Sequence, residues 1–351
     1  MGVTVKDVAR AAGVSTATVS RALRGFATVD PETRAHILRT AERLDYVGSP
    51  AAAALSTGRT RSIGIITPYI SRWSFARMLS GIERELRANE LDVVLYCLGD
   101  PSDPHPAPPL HRLRRRVDGF IVMSVAAESP DLEELFKVEV PVSLIGTSAP
   151  GVASVLIDDT AGARTATEHL LSLGHRRIGL IYGRENRDPL VLERPRYLGF
   201  VAALEEAGIA PDPALEQAGH FTVEGGEEAM RRLLDADEPP TAVFAMSDEM
   251  AFGALRALRD LGREPGLDVA LVGFDGHEMA DVFGLSTVSQ PLESLGSQGA
   301  RNLVAELAQP GRPREVTVLP TELIVRSSSV GPDGATPRAA RRRHGPQDAG
   351  R

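Results

Sequence analysis

From Ser62 onward, short apolar runs alternate with amphipathic stretches, and this alternation constrains the fold more than any other feature of the chain. Ser62 to Thr67, Asp92 to Leu98, Val117 to Val125, Val142 to Gly146 and Val155 to Ile157 read as strands buried on both faces. Helical spacing lies between them, near 74–89, 110–116 and 131–137. A second series follows, with strands at Arg177 to Tyr182, Ala242 to Ala245 and Val269 to Phe274 and helices near 161–173, 192–207, 225–235 and 248–261. A strand covered on both faces needs crossover helices above and below it, so the expectation is two parallel sheets of doubly wound α/β type. Two such halves joined by short crossings leave a cleft at the carboxyl ends of their strands, where ligands of open α/β sheets bind.

The charge is unevenly placed. The 351 residues carry a formal charge of -8, but residues 1–61 hold nine basic and five acidic side chains and residues 332–351 hold five Arg against two Asp. The segment between therefore carries -15, the head +4 and the tail +3. A basic head on an acidic body is compatible with a nucleic-acid partner, which the whole-chain figure conceals. No apolar run approaches the roughly 18 residues of a membrane span. The start, MGVTVKDVARAAG, places Lys6, Asp7 and Arg10 where an export signal would be apolar, so a cytoplasmic location is expected. Cys97 is the single cysteine and cannot form an intrachain disulfide; its apolar setting reads as a buried strand.

The head reads as three short helices. Thr4 and Asp7 have capping-box spacing for a first helix running to about Ala12, and Gly13-Val14 supplies a tight corner. Ser15 caps a second helix through Leu23, and Asp30-Pro31 starts a third with Ile37, Leu38, Ala41 and Leu44 as its apolar stripe. Val5, Val8, Ala9, Val14, Val19 and Leu23 are spaced to share a small core. The exposed face of the second helix then carries Thr16, Ala17, Thr18, Ser20 and Arg21. Short residues let a helix approach base edges in a major groove, Arg reaches guanine, and the hydroxyls of Ser15, Thr18 and Ser20 suit phosphate oxygens. By itself such a face is equally that of an ordinary helical bundle. Further on, Ser49-Pro50 and the alanine run with Ala52, ending at Leu55, form a helix too short to stand alone. Leu55 has the character of an apolar wedge for a minor groove, or of a linker residue.

Taken together, VKDVARAAGVSTATVSRAL from Val5 to Leu23, LDYV from Leu44 and the segment ending at Leu55 resemble the lactose-repressor (LacI/GalR) family of bacterial regulators. The resemblance continues through LGHRRI from Leu173, RYLGF from Arg196, SDEMA from Ser247, VGFD from Val272 and LPTEL from Leu319. It implies an all-α helix-turn-helix head over 1–47, a hinge helix and linker over 48–61 and an α/β periplasmic-binding-protein-like core over 62–330. The implied N-subdomain is about 62–159 with 290–318, and the C-subdomain about 160–289 with 319–330. It also implies a homodimer on double-stranded operator DNA, with Thr16, Ala17 and Arg21 reading bases and Leu55 wedging the operator centre. Thr4, Ser15, Thr18, Ser20, Arg24 and Ala52 complete the candidate DNA contacts. Two positions depart from the pattern: Arg24 stands where Asn is usual, adding a phosphate contact, and Gly48 where Pro is usual, loosening the hinge.

On physical grounds Tyr69, Trp73 and Phe75 follow the first strand, where aromatic faces pack against a sugar ring. Arg196, Asp248 and Asp275 sit at strand ends or helix starts, suited to hydroxyls or, for the two Asp, to helix capping. Asp158-Asp159 reads as a helix cap. The resemblance places Arg196, Asp248 and Asp275 in the effector site, with Phe221 in some members; Ser247 stands where the family often has Asn. The effector so implied is small, a sugar first and a purine as the alternative. Walker, dinucleotide, nucleophile-elbow and HExxH patterns are missing from the sequence, so neither a cofactor nor a metal is expected. A sugar kinase fused to a DNA-binding head, the best enzyme alternative, would need a phosphate-cradling Gly loop. A secreted solute-binding protein would leave the head unexplained. The tail from Gly331, with Arg338 and Arg341 to Arg343, has a disorder-prone composition.

Overall fold

A computed structural model describes residues 3–23, 28–46, 58–98, 113, 116–126, 129–137, 140–183 and 194–331. Contacts divide the chain into two compact units, Met1–Ser62 with Arg116–Asp118, and the remainder. Arg24, Gly48, Ala52, Leu55, the hinge helix around them, the tail from 332 and most of the helix expected over 110–116 lie outside the described residues.

The first unit is built from α1 (Val5–Ala12), α2 (Thr16–Leu23) and α3 (Pro31–Arg43). Each start is fixed locally. The Asp7 carboxylate accepts from the Thr4 N–H (3.0 Å) and hydroxyl (2.6 Å), Ser15 Oγ accepts from the Thr18 N–H (3.1 Å), and Asp30 accepts from the Thr33 N–H (2.9 Å). Gly13, at φ 67°, turns the chain between α1 and α2 in a conformation that an L side chain adopts at a cost. Val8, Val19, Ala22 and Ile37 are fully buried where the helices meet, with Val5, Val14, Leu23 and Leu44 packed around them. Leu38, expected in the α3 stripe, is 43% exposed, because Ile37 one residue earlier already takes the inward position.

The linker is tied down before it enters the core. Thr60 donates to Asp118 Oδ1 through both its N–H (2.7 Å) and its hydroxyl (2.9 Å), and the Arg61 N–H donates to Oδ2 (2.9 Å). One carboxylate thus takes three donors at the point where the first core strand begins.

The second unit contains two six-stranded sheets. The first is formed by β1 (Ser62–Thr67), β2 (Asp92–Cys97), β3 (Gly119–Met123), β4 (Val142–Ile145), β5 (Ala153–Ile157) and β11 (Val316–Leu319), in the order β11-β5-β4-β3-β1-β2. The second is formed by β6 (Ile178–Tyr182), β7 (Glu216–Ala218), β8 (Ala242–Ala245), β9 (Ala270–Asp275), β10 (Ser286–Ser289) and β12 (Glu322–Ile324), in the order β12-β10-β9-β8-β6-β7. Pairing runs parallel from β7 to β10, and β12 closes the edge antiparallel. The helices are α4 (Trp73–Ala88), α5 (Pro130–Phe136), α6 (Asp159–Ser172), α7 (Arg194–Glu206), α8 (Val223–Leu234), α9 (Asp248–Asp260), α10 (Met279–Val282), α11 (Leu292–Ala308) and α12 (Ser327–Val330). The chain crosses between sheets three times, after β5, after β10 and after β11.

Every residue of β3, β8 and β9 is buried, as their apolar runs require. The run ending at Cys97 differs: β2 is an edge strand, so its residues are half-buried or exposed, and Cys97 Sγ contacts the Pro68 carbonyl at 3.4 Å. Helices α8 and α9 cross closely enough that a Cβ on Gly253 would lie 1.8 Å from the Val223 carbonyl oxygen, and one on Gly226 2.1 Å from that of Met250. No helix among the described residues is long and apolar enough to cross a membrane.

Candidate nucleic-acid interface and effector cleft

On α2, Thr16, Ala17 and Arg21 are exposed, Thr18 and Ser20 are half-exposed, and Val19 and Ala22 anchor the opposite side in the core. The burial of 19 and 22 therefore dictates which residues face outward, as the helical period requires. Ser15 Oγ and Thr18 Oγ1 lie 2.8 Å apart, so the cap also orients a hydroxyl at the helix start. Thr4, at the start of α1, is exposed as well.

In the core, the loops at the carboxyl ends of strands from both sheets meet. Arg196, on the first turn of α7, donates through Nε to Asp159 Oδ1 (2.7 Å) and through a terminal nitrogen to the Met246 carbonyl (2.7 Å). Its guanidinium lies 3.9 Å from the centroid of the Phe274 ring. Asp275 ends β9 with φ 136°, is 7% exposed, and accepts from Gln290 Nε2 at 2.6 Å. Burial drives its carboxyl well above the usual range; the Arg196 charge pulls it down, while the Asp248 and Glu249 charges push it up. Asp158 caps α6 through the Ala161 N–H (2.8 Å), whereas Asp159 does not act as a cap and is the partner of Arg196.

Asp248 occupies a different place from the one expected. It is fully buried, and the cap of α9 is Ser247, whose Oγ accepts from the Met250 N–H (3.3 Å). Asp248 Oδ2 accepts from the His277 N–H (2.7 Å) and Oδ1 from the Thr287 hydroxyl (2.7 Å). It braces the 275–277 turn from inside. Burial raises its pKa to about 6 against those two hydrogen bonds.

The aromatic residues divide. Phe75 packs against the core and meets Tyr69 edge-on at 6.0 Å. Trp73 instead stacks on His277 (4.3 Å between centroids, 28° between planes), and Phe252 meets that imidazole edge-on at 5.1 Å. Phe221 lies on Gly183, where a Cβ would sit 1.7 Å from the ring. The Arg72 guanidinium lies 4.3 Å from the Tyr69 centroid and 5.0 Å from that of Phe221. It donates to the carbonyls of Phe221 (2.8 Å) and His220 (3.2 Å). The Glu249 carboxylate accepts from the Trp73 backbone N–H; burial raises its pKa, and Arg72 and that hydrogen bond oppose the rise.

Sequence reasoning missed Arg72, Glu249, His277 and Gln290. Arg72 lies between Tyr69 and Trp73, and His277 two residues after Asp275, so proximity to named candidates was the one available signal. Among the described residues no group of three or more His, Cys, Asp or Glu could hold a metal ion.

A small helical head with an outward polar helix, joined to a two-sheet core whose strand ends converge on charged and aromatic side chains, defines a DNA-binding regulator of periplasmic-binding-protein-like architecture. Comparison with known proteins agrees. Residues 4–49 match the model for bacterial regulatory proteins of the lacI family, and residues 167–329 that for the periplasmic binding protein-like domain. The HTH-type transcriptional regulator DegA of Bacillus subtilis is 33% identical over 94% of this chain and 98% of its own length. The crystal structure of the Lac repressor dimer bound to operator and the anti-inducer ONPF superposes with a TM-score of 0.81 at 26% identity, covering 94% and 99% of the two chains. The complex of the regulator CelR with cellobiose gives 0.66 at 32% identity, covering 93% and 99%. The chain belongs to the lacI family of bacterial regulatory proteins and is a DNA-binding transcriptional regulator.

Proposed function

We infer that the protein is a cytoplasmic, homodimeric repressor of carbohydrate-utilisation genes whose operator affinity is set by a sugar bound in the core cleft. The observation that carries the sugar reading is the meeting, at the strand ends, of aromatic rings (Tyr69, Trp73, Phe221) with a buried carboxyl and a guanidinium (Asp275, Arg196). Rings of that kind cover the C–H face of a pyranose, and forked polar groups hold its hydroxyls. The cellobiose complex of CelR, at 32% identity, supports the same class of ligand.

In this reading two heads enter successive major grooves of a pseudopalindrome through Thr16, Ala17 and Arg21, while Thr4, Ser15, Thr18 and Ser20 hold phosphates. Arg24 joins the phosphate contacts, and paired hinge helices bring Ala52 and Leu55 to the minor groove. The sugar acts through unequal affinity for two arrangements of the core. The protein binds its ligand without transforming it. The test is fluorescence anisotropy on an operator obtained by binding-site selection, titrated with a panel of mono- and disaccharides and with purine bases. A sugar should change operator affinity in the parent and not in Asp275→Ala, which retains operator binding. A response to purines alone, or an unaltered sugar response in Asp275→Ala, refutes the reading.

A further inference from the structure

Among the described residues, the Tyr69, Trp73 and Phe221 rings at the strand ends each meet one of the protein's own planar groups. The Tyr69 and Phe221 rings share the Arg72 guanidinium, and the Trp73 indole is stacked on His277. Arg72 and Trp73 belong to the loop and helix that follow β1 in the first sheet. Their partners belong to three separate segments of the second lobe: the turn at 220–221 after β7, Glu249 at the start of α9, and His277 after β9. Two adjacent residues thus reach three points across the cleft.

We propose that Arg72 and Trp73 form a latch that holds the two lobes together without effector and that a ligand must displace to reach the aromatic faces. The geometry makes it a releasable one. His220 and Phe221 both have non-glycine left-handed backbone, at φ 53° and 55°, a conformation that costs free energy at each residue. The guanidinium binds the carbonyls of this pair, so relaxation of the turn on release offsets part of what the latch contributes. Trp73 brings a further dependence: its indole N–H is buried and has no hydrogen-bond partner among the described residues, so stacking, not hydrogen bonding, holds the ring in place. A latch of this kind lowers apparent effector affinity by the fraction of time that it is closed. Arg72 therefore sets the concentration at which the regulator responds, and acts as a positioning residue. The regulatory consequence rests on the cleft being the effector site; the latch itself does not.

The experiment uses the full chain without sugar or operator. Trp73 is the only tryptophan, so intrinsic fluorescence reports this position alone. Acrylamide is the probe. With the open form at about a tenth of the population in the parent and about a half after the latch is cut, collisional quenching of Trp73 rises about five-fold in Arg72→Ala. Small-angle scattering should show a larger radius of gyration alongside. Arg72→Lys keeps the charge but cannot fork to two carbonyls, and is expected between the two. It also carries the test should the alanine variant fail to fold. Quenching and radius unchanged from the parent in whichever variant folds overturn the latch. Since neither readout involves sugar or DNA, that result leaves the sugar-responsive reading standing, and a missing sugar response leaves the latch standing.

Discussion

Replacing Arg196 by Ala removes a cation that bonds Asp159 and the Met246 carbonyl and acts electrostatically on Asp275. Arg196 and Asp159 are paired at 2.7 Å with side chains 14% and 20% exposed, the same guanidinium bonds the Met246 carbonyl, and its charge counters that of buried Asp275. Cutting a buried pair from one side costs about 3–5 kcal/mol, because the remaining charge stays desolvated. Asp159 keeps a fifth of its surface in water and can rehydrate, so the lower end, about 3 kcal/mol, is expected. At about 2–4 °C per kcal/mol for a unit of this size, the core should melt about 6–12 °C lower. The deficit should also depend on pH. Without Arg196 the Asp275 carboxyl rises further above its unfolded value, so the folded state holds a proton that the unfolded chain has lost. Stability contributed by that group is present at low pH and falls as pH rises through the folded pKa. The loss should therefore be larger at pH 8 than at pH 5, and Asp275→Asn in the Arg196→Ala background should recover at least about 1 kcal/mol. Calorimetric melts of the two single variants and the double at both pH values give the answer. A deficit equal at the two pH values, with no recovery in the double variant, would show that Arg196 acts as packing over Phe274 and that its charge is irrelevant.

Other expectations concern different parts of the molecule. Arg21→Ala should lose about 1–3 kcal/mol per half-site and relax selection at one base position; an unchanged base preference in a binding-site selection would remove Arg21 from the reading face. His175 is 3% exposed, bonds Thr241 Oγ1 through Nδ1 at 2.9 Å, and is pushed down by burial to about 4. Since its folded pKa lies below the unfolded one, its contribution is present above about pH 6.5 and lost as pH falls to about 4, a change of about 3 kcal/mol. Denaturant melts of His175→Gln across that range should be flatter than those of the parent, and parallel curves would contradict the assignment. Gly253→Ala forces a methyl against the Val223 carbonyl, and the α8–α9 crossing should lose about 1–3 kcal/mol; an unshifted urea midpoint would mean that the helices part freely.

What could be read without coordinates follows physical range. The caps at Thr4, Ser15 and Asp30 rest on side chains three residues from the amides or carboxylates they meet, and these were legible. So were β1, β3, β8 and β9, whose burial on both faces writes itself into continuous apolar runs. Strands β7, β10, β11 and β12 were not: each has only three or four residues, and β7, β11 and β12 are sheet edges whose residues are half-buried or exposed. The same limit misplaced Cys97, since an apolar run does not say whether its strand ends the sheet. Among the residues proposed for the cleft, Asp275 was singled out by a recognisable strand end and Arg196 by a helix start, whereas nothing local shows that the oxygens of Asp248 are taken up by the Thr287 hydroxyl and the His277 amide. Arg72 acquires meaning through Phe221, 149 residues away, and no local pattern encodes that meeting.

The Asp118 carboxylate that gathers Thr60 and Arg61 has a mechanical consequence. Asp118 immediately precedes β3, and the residues it grips immediately precede β1, which pairs with β3 from Ile63 and Gly119 onward. A pull on the linker is therefore shared by two neighbouring parallel strands in the interior of a six-stranded sheet and shears them against β4 and β2 on either side, so that many hydrogen bonds must yield together. An edge strand would peel one bond at a time.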